Sequence, residues 1–474
     1  MPPDHPPHPA AIPQAWSALG GPCGLLSAVT YDRSSSGLLP SRLPVLDAAR
    51  ACVAVCSLAA AEYVAAGGPV PRVRVDDGAV ATAFVSERQL RLDGREPSTF
   101  APLSRFWRTA DGWVRTHANY PHHKAALLAA LGVPEDRVER VLAGLAAVDV
   151  EERVYAAGGL AVALRTRAQW AAHPQGVAVA GEPLVHRERL DERAPRARGG
   201  RLSVARARGG RSSVARARGG RLRVLDLTRV LAGPVATRTL ALLGADVLRV
   251  DSPGLPELAD QHADTGFGKR STLLDLARPT DRTTFDELLA EADLVVTGYR
   301  PGALDRLGLS PSALAERRPG VVVAQLNAWG GSGPWAVRRG FDSLVQVATG
   351  IADAERDPAA DRPGALPAQA LDHGTGYLLA AAVLRSLTEQ ASEPGSRLVR
   401  LSLARTADWL LRLPAARRSG GADSAYDPSP YLVETTGPLG RLRHARSPVS
   451  YEGCPANWAR SAGVWGADAA RWEG

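Results

Sequence analysis

Residues 222–412 predict an α/β fold, a doubly wound parallel sheet covered by helices on both faces. Three observations carry this. The chain has 474 residues, 45% of them hydrophobic, which is enough for about two to four domains with real cores. Its character changes after an arginine- and glycine-rich repeat near residue 200. Beyond the repeat, apolar strand-like runs alternate with helical stretches, the signature of βαβ units. In order, LRVLDLT is a strand and TRTLALLGA a helix, and DVLRVD is a second strand with TTFDELLAEA the following helix. DLVVTGY is a third strand, SALAERRP a helix and VVVAQLNAWG a fourth strand. Ligands of such sheets gather at the C-terminal strand ends. That directs attention to Val230–Pro234, Asp251–Pro253, Tyr299–Gly302 and Trp329–Gly331.

The first half reads differently. Residues 1–15 are proline-rich and predict a tail that buries no core, within a segment bounded at 1–40. In the next segment, 41–190, LDAARACVAVCSLAAAEYVAAGG predicts a buried small-residue helix stopped by Gly67-Gly68. RVRVDDGAVATAFVSERQLRLDG predicts an extended stretch, and FWRTADGWVRTH a hairpin turning on Asp111-Gly112. Two helical stretches follow, HHKAALLAALG and DRVERVLAGLAAVDVEERVYAAGG. One echo links the halves: the helix and extended stretch after Val45 parallel ALDHGTGYLLAAAVLRSLTEQASEPGSRLVRLSLARTADWL after Ala370, each with an aspartate at the helix start. The chain reads as two partial copies of one fold.

The formal charge is +8, a total that raises nucleic acid or an anionic membrane as partners. Residues 193–223 carry eleven arginines and no acid, which leaves the rest of the chain at −3. ARGGRLSV, ARGGRSSV and ARGGRLRV recur there at ten-residue spacing from Ala197, too short for a solenoid repeat. The segment 191–221 is therefore read as a linker. A polyanion-binding arm is the alternative, weakened by the lack of aromatic residues; nucleic acid is not an expected partner. Cys23, Cys52, Cys56 and Cys454 are too scattered for a disulfide framework, which fits a reducing cytoplasm. Neither a signal-peptide pattern nor a run of about 18 uncharged apolar residues is seen, so no membrane association is expected.

Few motifs carry chemistry by themselves. LDHGTGY places Asp372 at the entrance to an apolar helix, where a carboxylate gains from free N–H groups, and Gly374 and Gly376 leave room for a large substrate. The same pattern equally describes a plain N-cap. RVLAGP is not GxGxxG, and neither a P-loop nor GxSxG is present, which argues against NAD, ATP and a hydrolase elbow. AWGGSGP is a glycine-rich turn. His117, His122 and His123 lack a further ligand at metal-binding spacing, and no metal is assigned.

Taken together, VLDLTRVLAGPVATRTLALLGADVLRVDSP, GKRSTLLDL, ADLVVTGYRPGALDRLGLS, PGVVVAQLNAWGGSGP, GFDSLVQVATGI and LDHGTGYLLAAAVL resemble, in order, the family III CoA-transferases. Residues 72–185 resemble that family's smaller domain, FWRTADGW echoing YxTxDGW, but here they come first, as in a rearranged or duplicated member. The resemblance implies a Rossmann-like sheet with a smaller α+β domain, an interlocked homodimer, and CoA thioesters as substrates with no permanently bound cofactor. It implies that Asp372 is the nucleophile that carries CoA as an aspartyl thioester between two carboxylic acids. It also implies that Val230, Leu231 and Ala232 line the CoA site, that Tyr299 and Arg306 lie along the CoA chain, and that Arg339 sits near the active site. Some of Arg249, Arg270, Arg306 and Arg339 are expected to meet CoA phosphates. Tyr299 as core and Arg306 as a helix cap are the plainer readings. Where related α-methylacyl-CoA racemases carry a histidine, this chain has Gly340-Phe341-Asp342, which favours transfer over racemisation. A racemase and a catalytically inactive CoA-binding protein are the alternatives. Asp47, the counterpart of Asp372 in the N-terminal copy, is followed by Ala48-Ala49-Arg50 and is expected to be degenerate. Residues 413–474 match the family poorly and are expected to form an extended arm.

Overall fold

The computed structural model describes residues 9–33, 37–98, 100–193, 201–202, 216–217, 221–414 and 426–473. Most of the arginine-rich linker lies outside them. The largest sheet has seven strands: β1 (His186–Arg189), β2 (Arg223–Leu227), β3 (Asp246–Asp251), β4 (Arg270–Leu273), β5 (Leu294–Thr297), β6 (Val322–Asn327) and β7 (Arg397–Ser402). Their spatial order is β4-β3-β2-β5-β6-β7-β1, parallel throughout except for β1, which runs antiparallel to β7. The fold is therefore mixed α/β around a mostly parallel sheet. Four of these strands are the apolar runs read from the sequence. β4, within GKRSTLLDL, was not anticipated, because Arg270 and Ser271 interrupt its apolar pattern although both are buried.

Two long helices dominate the core, α1 (Val45–Ala65) and α3 (Ala370–Glu389), and they pack on each other; α2 (Ala232–Leu242) packs on α3 from another side. α1 is long and apolar enough to cross a bilayer by length alone, but here it is buried in the same hydrophobic cluster as α2 and α3. The echo between the halves is visible in space. After α1 a short strand, Val73–Asp76, leads into a helix, Asp77–Ala83, just as β7 after α3 leads into the helix Leu403–Arg412. The extended stretch expected over 72–94 is thus extended only at its two ends, Val73–Asp76 and Arg91–Leu92. Asp76 then accepts hydrogen bonds from the Gly78 and Ala79 amides and starts a helix in an alanine-rich run.

The predicted hairpin is present as Phe106–Arg108 paired with Trp113–Thr116, and Ala161–Ala163 adds a third strand. Helices Pro121–Leu131, Val138–Leu142 and Ala147–Ala156 close a small α+β unit over a separate core of Leu103, Trp107, Val114, Leu127 and Val150.

Both ends of the chain contribute more than composition implied. Contrary to the expectation for residues 1–15, Ala11–Ala18 is a helix that buries Ile12, Ala15 and Trp16, with Leu19 one turn on, against α1. These positions share one helical face, which outweighs the surrounding prolines. At the other end, Leu432–Gly437 and Gly440–Ala445 form a hairpin that pairs with Arg91–Leu92. The chain then straps the open sheet edge at β4. The Ser271 amide donates to Asp468, Trp465 donates to Asp251, and Trp472 donates to the Leu288 carbonyl. Covering the edge strand removes a template for pairing with other chains.

Candidate functional site

A cleft of about 700 Å³ opens at the C-terminal end of β2. The loop between β2 and α2 supplies Val230 and Leu231, the first turn of α3 supplies Gln369 and Asp372, and Phe341 closes one wall. Leu258, Asp260 and Gln261 add a further wall, and the N-terminal half supplies the rest: Glu87 and Arg88 follow the helix Asp77–Ala83, and His117, Asn119 and Tyr120 follow the hairpin. Two halves that are distant in sequence thus build one site.

Asp372 lies in the first turn of α3 with only 6% of its surface exposed. Among the described residues no hydrogen-bond donor reaches its carboxylate. Below it, the Asp342 carboxylate accepts from the backbone amides of Leu371 and Asp372, both at 2.9 Å, and from Gln346. Asp342 therefore does the capping, and Asp372 is left free to face the cleft. Burial, then the charges of Asp342 and Glu87, holds the Asp372 carboxyl well above the usual carboxylate range. Burial also lifts Asp342, to about 6, against the pull of its three donors. Glu87 is the contrasting case: burial pushes it up, but its bond to the buried His373 imidazole, 3.2 Å, outweighs that and keeps it below the ordinary value.

Gly374 and Gly376 do not make room for substrate. A Cβ on Gly376 would meet the Ala232 carbonyl oxygen at 2.5 Å and Val235 at 2.9 Å, and one on Gly374 would lie 3.4 Å from Cys52 Sγ. Gly376 lets α3 approach α2, whereas a Cβ on Gly374 would be in ordinary van der Waals contact with α1.

The sequence-derived residues divide. Asp372, Val230 and Leu231 meet in the cleft. Ala232 begins α2 and contacts Gly376 instead of lining the cleft. Tyr299 is half-buried against the core on the other side of the sheet. Arg306 is exposed on a short 3-10 turn, Asp305–Leu307. Arg339 opens on a second cavity of about 630 Å³ with Arg300, Arg338 and Tyr155.

Arg249 and Arg270 are corrected outright. Arg249 is buried and paired with Asp251 at 2.6 Å and Glu257 at 3.0 Å, and Arg270 is buried against Asp246 at 2.7 Å, so neither is free to meet a phosphate. Buried guanidiniums need such partners to offset desolvation. The exposed arginines near the cavities are Arg88, Arg300 and Arg339.

Among the cleft residues not singled out from sequence for this site are Glu87, Arg88 and His117. The AWGGSGP turn is structural. Gln175 bonds the Trp329 and Ser332 carbonyls and the Trp335 amide, and Glu182 accepts from the Gly331 amide.

Residues 221–428 match the model of CoA-transferase family III, so the resemblance read from the sequence holds over that segment. Among relatives, an acetyl-coenzyme A transferase of Hypoxylon pulicicidum is 34% identical over 196 residues, 40% of this chain and 33% of that protein. A protein of Mycobacterium tuberculosis (strain ATCC 25618 / H37Rv) named "Probable fatty acyl-CoA transferase" is 35% identical over 178 residues, 35% of this chain and 45% of its own length. A CaiB/BaiF family protein of Brucella suis, known from a crystal structure, shares 26% identity over 46% of this chain and 64% of that one, with a TM-score of 0.37. The chain thus spans less than half the length of these two curated relatives.

Proposed function

We propose that the protein is a CoA-transferase that moves CoA from an acyl-CoA thioester to a free carboxylic acid, with Asp372 as the nucleophile. The observation that carries this is the placement of Asp372 in the family-matched segment. It is a buried carboxylate that no donor among the described residues satisfies, facing a cleft with its amide held by Asp342. The strand order supports a Rossmann-like, doubly wound reading of the large sheet, with the cleft where that order reverses.

The chemistry then follows. The Asp372 carboxylate attacks the thioester carbonyl and the CoA thiolate leaves, giving a mixed anhydride. The thiolate attacks the aspartyl carbonyl and releases the first acid as a carboxylate, leaving an aspartyl-CoA thioester. An incoming carboxylate takes the CoA by the same two steps reversed, and Asp372 is regenerated. A desolvated carboxylate is a stronger nucleophile than a hydrated one, and its high pKa is the cost of holding it dry. In this reading Val230, Leu231 and Ala232 shape the CoA-facing loop. Arg306 and Arg339 lie along a CoA chain that leaves the cleft at the strand ends, while Tyr299, packed against the core on the other side of the sheet, would support that path from behind. The active form is a homodimer, and the location is the cytoplasm.

The test is incubation with acyl-CoA donors and free acids, followed by hydroxylamine trapping. A hydroxamate at Asp372 together with CoA exchange supports the proposal; neither with any donor overturns it. One observation favours a second reading. The His117 ring stacks on Phe341 at 3.8 Å and 7°, so an imidazole borders the cleft although position 341 lacks one. Burial first, then His123 and Arg115, push His117 down to about 3, keeping it neutral. Deuterium uptake at the α-carbon of an acyl-CoA that keeps its CoA would favour that alternative.

A further inference from the structure

Val230 has a backbone φ of +70°, in the left-handed region. Among the described residues it is the one β-branched side chain found there, and it lies on the cleft wall. A branched Cβ in this region clashes with its own backbone, so it persists only where the surroundings enforce it. The enforcing group is visible. The Val230 amide donates to Glu257 Oε2 at 3.0 Å. The Glu257 side chain is fully buried and does not line the cleft. It also accepts from Arg249 Nη2 at 3.0 Å, from its neighbour's amide at Leu258 at 3.0 Å, and from the Tyr120 hydroxyl at 2.6 Å. Arg229, adjacent to Val230, lies 3.7 Å from the same carboxylate, with its guanidinium over the Tyr120 ring. Burial pushes Glu257 up, but Arg249 and Arg229 outweigh it and keep it ionised.

We propose that Glu257 is a positioning residue that locks Val230 in its left-handed conformation and so preshapes the CoA-facing loop, with Tyr120 of the small α+β unit as a strut. The proposal rests on the CoA-binding reading above for its functional meaning. An anchored loop meets its ligand without an ordering cost, whereas a loop that relaxes must be re-formed on binding. Tyr120 makes the lock span the two halves: the loop is held more firmly when the small unit is docked. Glu257 acts through Val230 rather than on substrate, since its oxygens are taken up by protein donors.

The discriminating experiment removes the strain instead of the lock. Glycine adopts a φ of +70° without penalty, so in a Val230→Gly background the loop no longer needs Glu257. The dissociation constant for coenzyme A and the hydrogen–deuterium exchange of the 229–232 amides without ligand are measured for the wild type, Glu257→Gln, Val230→Gly and the double variant. Glu257→Gln is expected to weaken CoA binding about tenfold and to speed loop exchange. In the Val230→Gly background the same substitution is expected to cost less than about twofold. Equal penalties in both backgrounds, by both readouts, overturn the proposal and leave Glu257 a purely structural residue. Should Glu257→Gln fail to fold, Tyr120→Phe takes its place, with an expected loss of about threefold and the same suppression by glycine. Absence of CoA binding by the wild type refutes the functional reading alone; the exchange data still decide whether Glu257 locks the loop.

Discussion

Asp47 and Asp372 occupy corresponding places, each in the first turn of a long alanine-rich helix, and the two helices pack against each other. Their surroundings are opposite. The Asp47 side chain is 37% exposed and paired with Arg50, whose guanidinium is bound in turn by Asp77 through two bonds of 2.8 and 2.7 Å. Among the described residues no cation pairs with Asp372, which faces two further carboxylates, Asp342 and Glu87. One copy spends its aspartate on folding, and the other keeps a destabilised carboxylate on a cleft. A helix-start aspartate therefore signals chemistry only when its charge is left uncompensated.

The widest separation between the two is expected from alanine. Asp372→Ala should lower CoA exchange by at least about 10³-fold and abolish the hydroxamate, because no other group can form the aspartyl intermediate. Retained exchange would break the assignment. Next in size is Asp342→Asn. Loss of the anion that anchors the Leu371 and Asp372 amides should cut the plateau kcat about tenfold by mispositioning the nucleophile. It also removes a negative charge beside Asp372, so the acidic limb of the pH profile should move to lower pH even as the plateau falls. A fall in the plateau with the limb unmoved would make Asp342 a helix cap and nothing more.

A smaller effect isolates electrostatics. In the proposed mechanism the nucleophile is the carboxylate, so kcat/KM should rise with pH until Asp372 ionises. Glu87→Gln keeps an acceptor for His373 but deletes a charge that holds Asp372 protonated. The limb should shift to lower pH, and the rate on the limb should rise about two- to threefold. A shift in the other direction would show that Glu87 acts mainly by orienting His373.

How much of this was legible in the sequence depends on whether a feature is local. The strands β2, β3, β5 and β6, the hairpin at Asp111-Gly112 and the helix after Asp372 follow from runs of neighbouring residues, and they are present. The edge strand β4 was hidden because its polar residues are satisfied by the C-terminal strap, some two hundred positions away. Arg270 looked available to a phosphate because its partner Asp246 lies 24 positions back, on the neighbouring strand, whereas Asp251, two residues on from Arg249 and on the same face of its strand, is a local sign that this arginine is paired. Glu87 and His117 enter the cleft from the opposite half of the chain, and Gly376 owes its place to the Ala232 carbonyl. No periodicity encodes such pairings. Sequence alone marked Asp372, but only folding shows which carboxylates surround it.

The last contrast is thermal. For Asp372 the folded pKa lies above the unfolded one. Between the two values the native state holds a proton that the unfolded chain has released, and stability falls as pH rises. Asp372→Asn removes that penalty and should raise Tm by about 2–4 °C at pH 8, with no gain near pH 3, where both states are protonated. Asp47→Asn should do the reverse, weakly. The helix start loses a favourable anion, about 0.3–1 kcal/mol, while Arg50 keeps its two bonds to Asp77, so Tm should fall by about 1–2 °C with exchange unchanged. Calorimetry of the two variants at both pH values measures the asymmetry. If Asp47→Asn instead impaired exchange while Asp372→Asn lowered stability, the roles of the two aspartates would be inverted, and the buried carboxylate of α3 would be a structural group after all.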